Sequence, residues 1–333
     1  MIKSRFKSFG IIASLLALFS ACNSGNSGNS EKITNVSFRE EWFPSACFAG
    51  DMMAANEAAK EYNISIKVEP GAEDVDPVKL VIAGTNNFGV AGGDRILTAN
   101  NTGADLVVLA AINFKSPTCF IALKKNNVLA PKDFENKTVG VMTGNNTEYV
   151  YRSLVSKAGL DAKKIREIEA PFDLATFITG TYDVRPAFAY DEPVSLDLQN
   201  IPYTTVKPED YGVNFIGPVI FAKRSYVEKN KELVQKFINS MCKGWQSALA
   251  NPEKAITHLK EFDQNIDKDR ELKSLLKGKE YFEGEDGKPL FLSNQRWDLF
   301  VSELVNLKLV PQNSKNATCF DNSFVTNFYA NNK

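Results

Sequence analysis

From residue 36 onward the chain alternates two patterns, short apolar runs and longer stretches in which apolar residues recur three or four positions apart. The first reads as β-strand and the second as amphipathic helix, because side chains alternate faces along a strand and return to one face of a helix about every 3.6 residues. Strands are predicted at 36–41, 64–68, 88–91 and 106–112. In the last of these, Leu-Val-Val-Leu-Ala-Ala-Ile, every position is apolar, as in a strand covered on both faces. Asp76-Pro77 predicts a helix start, with a capping carboxylate and a proline at the first helical position, and Gly84 closes that helix.

A second set follows, with strands predicted at 138–142, 165–169 and 184–190 and helices at 148–158 and 174–178. One more strand is predicted at 215–221, and beyond it the chain is mostly helical. In the longest helix, Lys231–Ala250, residues Leu233, Val234, Phe237, Ile238, Met241, Trp245 and Ala248 fall on one stripe, which reads as core packing. The alternation predicts an α/β protein whose parallel sheets are covered by helices. Two α/β lobes are expected, with 33–117 in the first, 118–212 in the second, and 213–333 returning to the first with its C-terminal helices. Ligands of open α/β sheets bind outside the carboxyl ends of the strands, so two facing lobes predict a ligand cleft closed by a hinge.

The first residues follow a different pattern. Lys3, Arg5 and Lys7 precede an apolar run at 9–19, and small residues Ser20-Ala21 then meet Cys22. A charged start, a short apolar run and a small-residue cleavage site read as a signal peptide over 1–21. The run is shorter than the roughly 20 residues of a membrane span. Cys22, directly after Ser-Ala, resembles the lipobox cysteine of bacterial lipoproteins, which implies lipidation and attachment to a membrane. The Asn, Ser and Gly tract at 23–30 cannot build a core, so 22–32 reads as the lipidated cysteine and a flexible tether.

Composition narrows the function classes. With 333 residues, 44% of them hydrophobic, the chain is globular. Loss of Lys3, Arg5 and Lys7 takes the formal net charge from −1 to about −4, and no basic stretch remains to track phosphates, so nucleic acid is excluded as a partner. Cys47, Cys119, Cys242 and Cys319 could form disulfides in an oxidising compartment, with the pairing left open. No metal site is expected, since the single histidine, His258, lies in a predicted surface helix, Pro252–Phe262.

The candidate site residues stand where strands end. Trp42-Phe43-Pro44 leaves the first strand and leads to Phe48, so an indole and two phenyl rings could stack on a flat ligand. Gly92-Gly93-Asp94 runs from a strand into a helix, where Gly93 and Asp94 offer close backbone approach and a carboxylate. Phe114-Lys115-Ser116-Pro117 reads as the hinge, with Ser116 a candidate ligand contact. Residues 143–148 place the amide of Asn145 and the hydroxyl of Thr147 at a helix start, where Asn146 or Thr147 is expected to cap. Tyr190-Asp191-Glu192-Pro193 ends another strand, and an ionised carboxylate such as that of Glu192 suits an N–H-rich heterocycle because it only accepts hydrogen bonds.

These segments occur together in a familiar order. Trp42-Phe43-Pro44, Phe88-Gly89-Val90, Lys115-Ser116-Pro117, the run from Ala130-Pro131 to Gly140-Val141, Tyr190-Asp191-Glu192-Pro193, and Asp210-Tyr211-Gly212-Val213 ahead of Gly244-Trp245 follow one family's order and spacing. The chain resembles the solute-binding proteins of bacterial ABC importers for thiamine pyrimidine precursors, with relatives for riboflavin, sulfonates and nitrate. The match spans about residues 33–262. The resemblance implies a type II periplasmic-binding fold in which Trp42 stacks on the ligand and Tyr190 and Glu192 contact it across the cleft. It also implies a monomer outside the cytoplasm that serves a membrane permease, with no cofactor and no catalysis. Two departures bear on the ligand. Pyrimidine-precursor binders tend to carry Asn and His where this chain has Ser45 and Phe48, and the Phe-Ala-Gly version is similar to members linked to riboflavin. An oxyanion binder should gather cations. Among the candidate loops Lys115 is the obvious cation, so a neutral or cationic heterocycle is favoured.

Overall fold

The computed structural model describes residues 33–313 and 318–332; the leader, the tether and Cys22 lie outside them. Within them, strands β1 (Thr34–Arg39), β2 (Ile64–Glu69), β3 (Phe88–Gly92), β4 (Leu106–Ala111) and β10 (Pro218–Lys223) form one sheet in the order β2-β1-β3-β10-β4. Strands β5 (Thr118–Leu123), β6 (Thr138–Val141), β7 (Arg166–Glu169), β8 (Val184–Phe188) and β9 (Tyr203–Val206) form the other, in the order β7-β6-β8-β5-β9. These are the sheets of two α/β lobes.

Both sheets are mixed where parallel ones were expected. β10 runs antiparallel to β3 and β4, and β5 antiparallel to β8 and β9. The reason is the double crossing. Residues 112–117 carry the chain from β4 to β5, and 207–217 carry it from β9 back to β10. The other strands end at the cleft, whereas a strand that follows a crossing begins there and must run the opposite way. The crossings lie side by side: Gly217 N donates to Asn113 O at 3.0 Å and Ser116 N to Phe215 O at 2.9 Å. The two segments run antiparallel between the lobes.

Local chemistry sets the element ends. Asp76 caps the helix Pro77–Ala83 by accepting from Val78 N at 3.0 Å, and Gly84 ends it at φ +80°, a left-handed conformation that glycine adopts without strain. In the helix Asn146–Lys157 the cap is Asn145, whose side chain accepts from Thr147 N at 3.1 Å, so the helix begins one residue past it. β4 is buried at all six positions although it is an edge strand. The C-terminal segment covers that edge: Val108 N donates to Cys319 O at 2.7 Å and Asp321 N to Val108 O at 2.9 Å.

Residues 46–61 form a helical run that the strand-and-helix pattern did not reveal, and it packs against Lys231–Ala250. The contact is close because Gly50 and Gly244 face each other across it; a Cβ on Gly50 would overlap the Trp245 ring. Trp245 is fully buried, stacked on Phe282 at 4.9 Å, with Nε1 donating to Asp51 Oδ1 at 2.9 Å. The helix Lys268–Lys277 touches both the turn Ala46–Phe48 and the second-lobe helix Glu192–Leu198, so it spans the lobes. Cys47, Cys119 and Cys242 are free thiols.

Candidate functional site

The exits of β1, β2 and β3 build the first-lobe wall. After β1 the chain turns through Glu40, Glu41 and Trp42, and Gly71 N donates to Trp42 O at 2.9 Å. A side chain at Gly71 would overlap the Glu41 carbonyl, so glycine lets the β2 exit lie against this turn and fix it. Trp42 and Phe43 stay partly exposed, 37% and 48%, with ring centroids 5.3 Å apart, edge to face. Glu41 accepts from Arg95 Nη1 at 3.0 Å, and Arg95 Nη2 reaches Asp76 at 2.7 Å. Asp94 is buried at the first turn of the helix Gly93–Asn101, and burial raises its carboxyl pKa above the ordinary value.

The second-lobe wall comes from the exits of β6, β7 and β8. Asn146 Nδ2 donates to Asp94 Oδ1 at 2.9 Å, a direct bond between the lobes. Phe172, after β7, brings its ring to Trp42 at 5.3 Å and 42°. Tyr190 is buried after β8, 4.8 Å from the Phe282 ring, and its hydroxyl donates to Asn113 Oδ1 at 3.2 Å. Asn113 sits on the first crossing, is fully buried, and its Nδ2 has no hydrogen-bond partner.

Buried and half-buried carboxyls give this region its character. Glu192 accepts from Phe188 N at 2.8 Å and from Arg185 Nη2 at 3.2 Å. Burial, then the Asp191 charge, push its pKa up to about 7, with Arg185 opposing. Glu40 and Asp51 are both buried at the end of β1, and Glu40 Oε1 and Asp51 Oδ2 find no donor. Burial first, and Asp51 beside it second, hold the Glu40 carboxyl well above its usual range, while burial pushes Asp51 up to about 7. A proton held between the two carboxyls satisfies both. Glu271 accepts from Ala46 N at 2.6 Å and pairs with Arg270, which also pairs with Asp191 across the lobes.

Several of the residues expected at the site are drawn together and others are not. Trp42 and Asp94 meet the second lobe through Phe172 and Asn146, next to the cap Asn145, while Phe43 packs against Trp42 within the first lobe. Tyr190 reaches the first crossing through Asn113. Phe48 is a correction: its ring is 1% exposed and lies in the core, because it points inward from the helical run and not along the strand exit. Gly93 is buried, and a Cβ there would press on Phe300. Thr147 is buried, and Ser116 accepts from Thr118 N at 3.2 Å at the end of the first crossing. His258 lies far off between Glu57, at 2.7 Å, and Glu261, at 3.0 Å. Sequence reading missed Asn113, Phe172, Arg185 and the Glu40–Asp51 pair. One signal was available, an arginine at 185 inside an otherwise apolar strand.

Among the described residues no cluster suited to a metal is found, and no helix is long and apolar enough to cross a membrane. The model of a family described as NMT1/THI5 like matches residues 59–255, more than half of the chain. The chain belongs to the NMT1/THI5-like family. This NMT1/THI5-like chain is 24% identical over 261 residues to the formylaminopyrimidine-binding protein of Halalkalibacterium halodurans, a match covering 76% of this chain and 78% of that one. Its fold is similar to that of the periplasmic aliphatic sulphonate binding protein SsuA from Escherichia coli, with a TM-score of 0.65 at 16% identity over 84% of this chain and 94% of the other. It is also similar to the desulfurization enzyme DSZB, with a TM-score of 0.61 at 10% identity over 90% and 100%. The NMT1/THI5-like chain therefore carries the type II periplasmic-binding architecture of two α/β lobes about a cleft.

Proposed function

We propose that this protein is the extracytoplasmic solute-binding component of an ABC importer, and that it captures a small heteroaromatic solute of the thiamine-pyrimidine-precursor class or a riboflavin-like ring. One observation carries the reading: exposed rings and buried hydrogen-bond acceptors converge at the lobe junction, while the basic side chains around them are already engaged. Arg95 pairs with Glu41 and Asp76, Arg185 with Glu192, Arg270 with Asp191 and Glu271, and Lys115 with Glu209 and Glu280. Ring faces stack on a flat solute, and carboxylates accept from its amino groups. A sulfonate or nitrate held by a cation would require breaking one of those ion pairs. The name of the Halalkalibacterium halodurans relative supports the pyrimidine class.

In this reading Trp42 and Phe43 stack on the solute, Asp94, Asn145 and Glu192 bond its polar edge, and Tyr190 closes the base of the site through Asn113. Binding needs no chemistry and no cofactor. Cys47 fits that role: burial raises its thiol pKa well above the ordinary value and Glu40 and Asp51 add to the rise, whereas a nucleophilic cysteine needs a lowered one. Lipidated Cys22 would hold the monomer near its permease in the cytoplasmic membrane.

The sulfonate-binding reading is favoured by one observation, the likeness of the fold to a sulphonate-binding protein. A thermal-shift screen of residues 31–333 against aminopyrimidines, riboflavin, taurine, alkanesulfonates and nitrate separates the two. A true ligand at about 100 times its Kd adds about 2.7 kcal/mol of stability. Stabilisation by pyrimidines or riboflavin supports the proposal; stabilisation by sulfonates or nitrate alone, or by nothing in the panel, overturns it.

A further inference from the structure

Arg185 is fully buried, and both terminal nitrogens of its guanidinium donate to one loop. Nη1 donates to Asp173 O at 2.8 Å and Nη2 to Phe172 O at 3.3 Å, while Nε donates to Pro186 O at 3.0 Å. Glu192 supplies the counter-charge at 3.2 Å. Burying an arginine is expensive unless its donors are satisfied. Here they are satisfied by carbonyls of residues 172 and 173, so the loop after β7 is pinned from beneath. Asp173 pins its far side by accepting from Ala175 N at 2.8 Å.

The pinned loop carries Phe172, which stays 55% exposed. A single exposed phenyl ring is ordinary. This one is held across the mouth against Trp42 of the opposite lobe, the ring whose stacking role the family resemblance implies. The two centroids stand 5.3 Å apart at 42°. A planar ring between two faces needs them about 7–8 Å apart, at roughly 3.5–4 Å per contact. The mouth must therefore part by roughly 2 Å and the rings turn parallel, a change within reach of a hinge.

We propose that Phe172 is the second-lobe face of a ring clamp that closes with Trp42 on a planar heteroaromatic solute, and that Arg185 is the positioning residue that sets this face. The inference rests on the solute-binding reading above. It makes Glu192 an anchor of the clamp as well as a candidate ligand contact, because the same guanidinium holds both.

The test uses Phe172→Ala, Phe172→Trp, Arg185→Lys and the double variant Arg185→Lys/Phe172→Ala, each checked for native circular dichroism. Trp245 and Trp297 are 0% and 1% exposed, so acrylamide quenching of the unliganded protein reports on Trp42. Phe172→Ala should increase that quenching. Binding of the best heteroaromatic from the screen should weaken roughly 2- to 10-fold in Phe172→Ala, the size of one aromatic contact, and recover in Phe172→Trp. Arg185→Lys should weaken it as well, without adding to the loss in the double variant. Additive losses would remove Arg185 as the positioning residue. Wild-type affinity in Phe172→Ala overturns the clamp and leaves the solute-binding reading intact. A wild-type protein that binds no heteroaromatic overturns both.

Discussion

The buried carboxyl pair at the end of β1 should make stability fall as pH rises. Asp51 is shifted from an ordinary 3.8 to about 7 by burial, and burial with Asp51 beside it holds Glu40 well above its usual range. The unfolded chain releases the Asp51 proton near its ordinary value, whereas the folded protein keeps it to about 7. Between those limits the unfolded state binds fewer protons, so raising the pH favours unfolding. The stabilising contribution is complete at about pH 4 and lost as pH passes about 7. At about 1.4 kcal/mol per pKa unit, the loss attributable to Asp51 is at most about 4 kcal/mol. Other groups packed around the pair are Cys47, Glu271, Glu41 and the Trp245 indole. Asp51→Asn isolates the effect: its Oδ1 still accepts from Trp245 Nε1 and its amide can donate to Glu40. Urea unfolding followed by circular dichroism, on wild type and Asp51→Asn, at about pH 4.5, 6 and 8, spans the window. The stability of the variant relative to wild type should rise across that series by up to about 3 kcal/mol. Parallel profiles would show that the pair does not share a proton.

Trp42→Ala should weaken heteroaromatic binding by roughly 0.5–1.5 kcal/mol beyond the lost contact area while leaving the melting temperature nearly unchanged; calorimetric titration that finds wild-type affinity removes Trp42 from the site. Glu192→Gln leaves fully buried Arg185 without its counter-charge, so unfolding should become easier by about 1–3 kcal/mol; wild-type stability in urea would mean that the carbonyls alone hold the guanidinium. Gly50→Ala drives a methyl into the Trp245 ring and should destabilise by about 1–3 kcal/mol or more, and an unshifted thermal melt would show that the helices part there freely.

The strands most legible in the sequence were those whose pattern follows from burial alone. The run of β4 is apolar at every position because helices and the C-terminal segment cover it, and the stripe of Lys231–Ala250 is the face packed on residues 46–61. Strand direction was not legible, since β10 reads like any other strand and reverses only because a crossing precedes it. β9 was missed because Tyr203–Val206 is polar at its exposed positions and covered mainly through pairing with β5. At the site, Trp42, Asp94 and Tyr190 stood out as aromatic or acidic residues at strand ends. Phe172 and Arg185 did not, because their relation is a contact between a loop carbonyl and a guanidinium 13 positions away. Phe48 misled for a related reason: composition cannot say whether a ring after a strand faces solvent or the core.

The strand order also constrains how the chain assembles. The second sheet uses only residues 118–206, so its pairings close within one stretch of chain. The first sheet has β10 between β3 and β4, and Pro218–Lys223 therefore sits between partners made more than a hundred positions earlier. Closing so long a loop is entropically dearer than local pairing and slows folding. A chain ending before Pro218 contains every strand of the second sheet, but β3 and β4 of the first have nothing between them. The lobe made of one segment can form first, and the lobe that begins the chain is finished only after it.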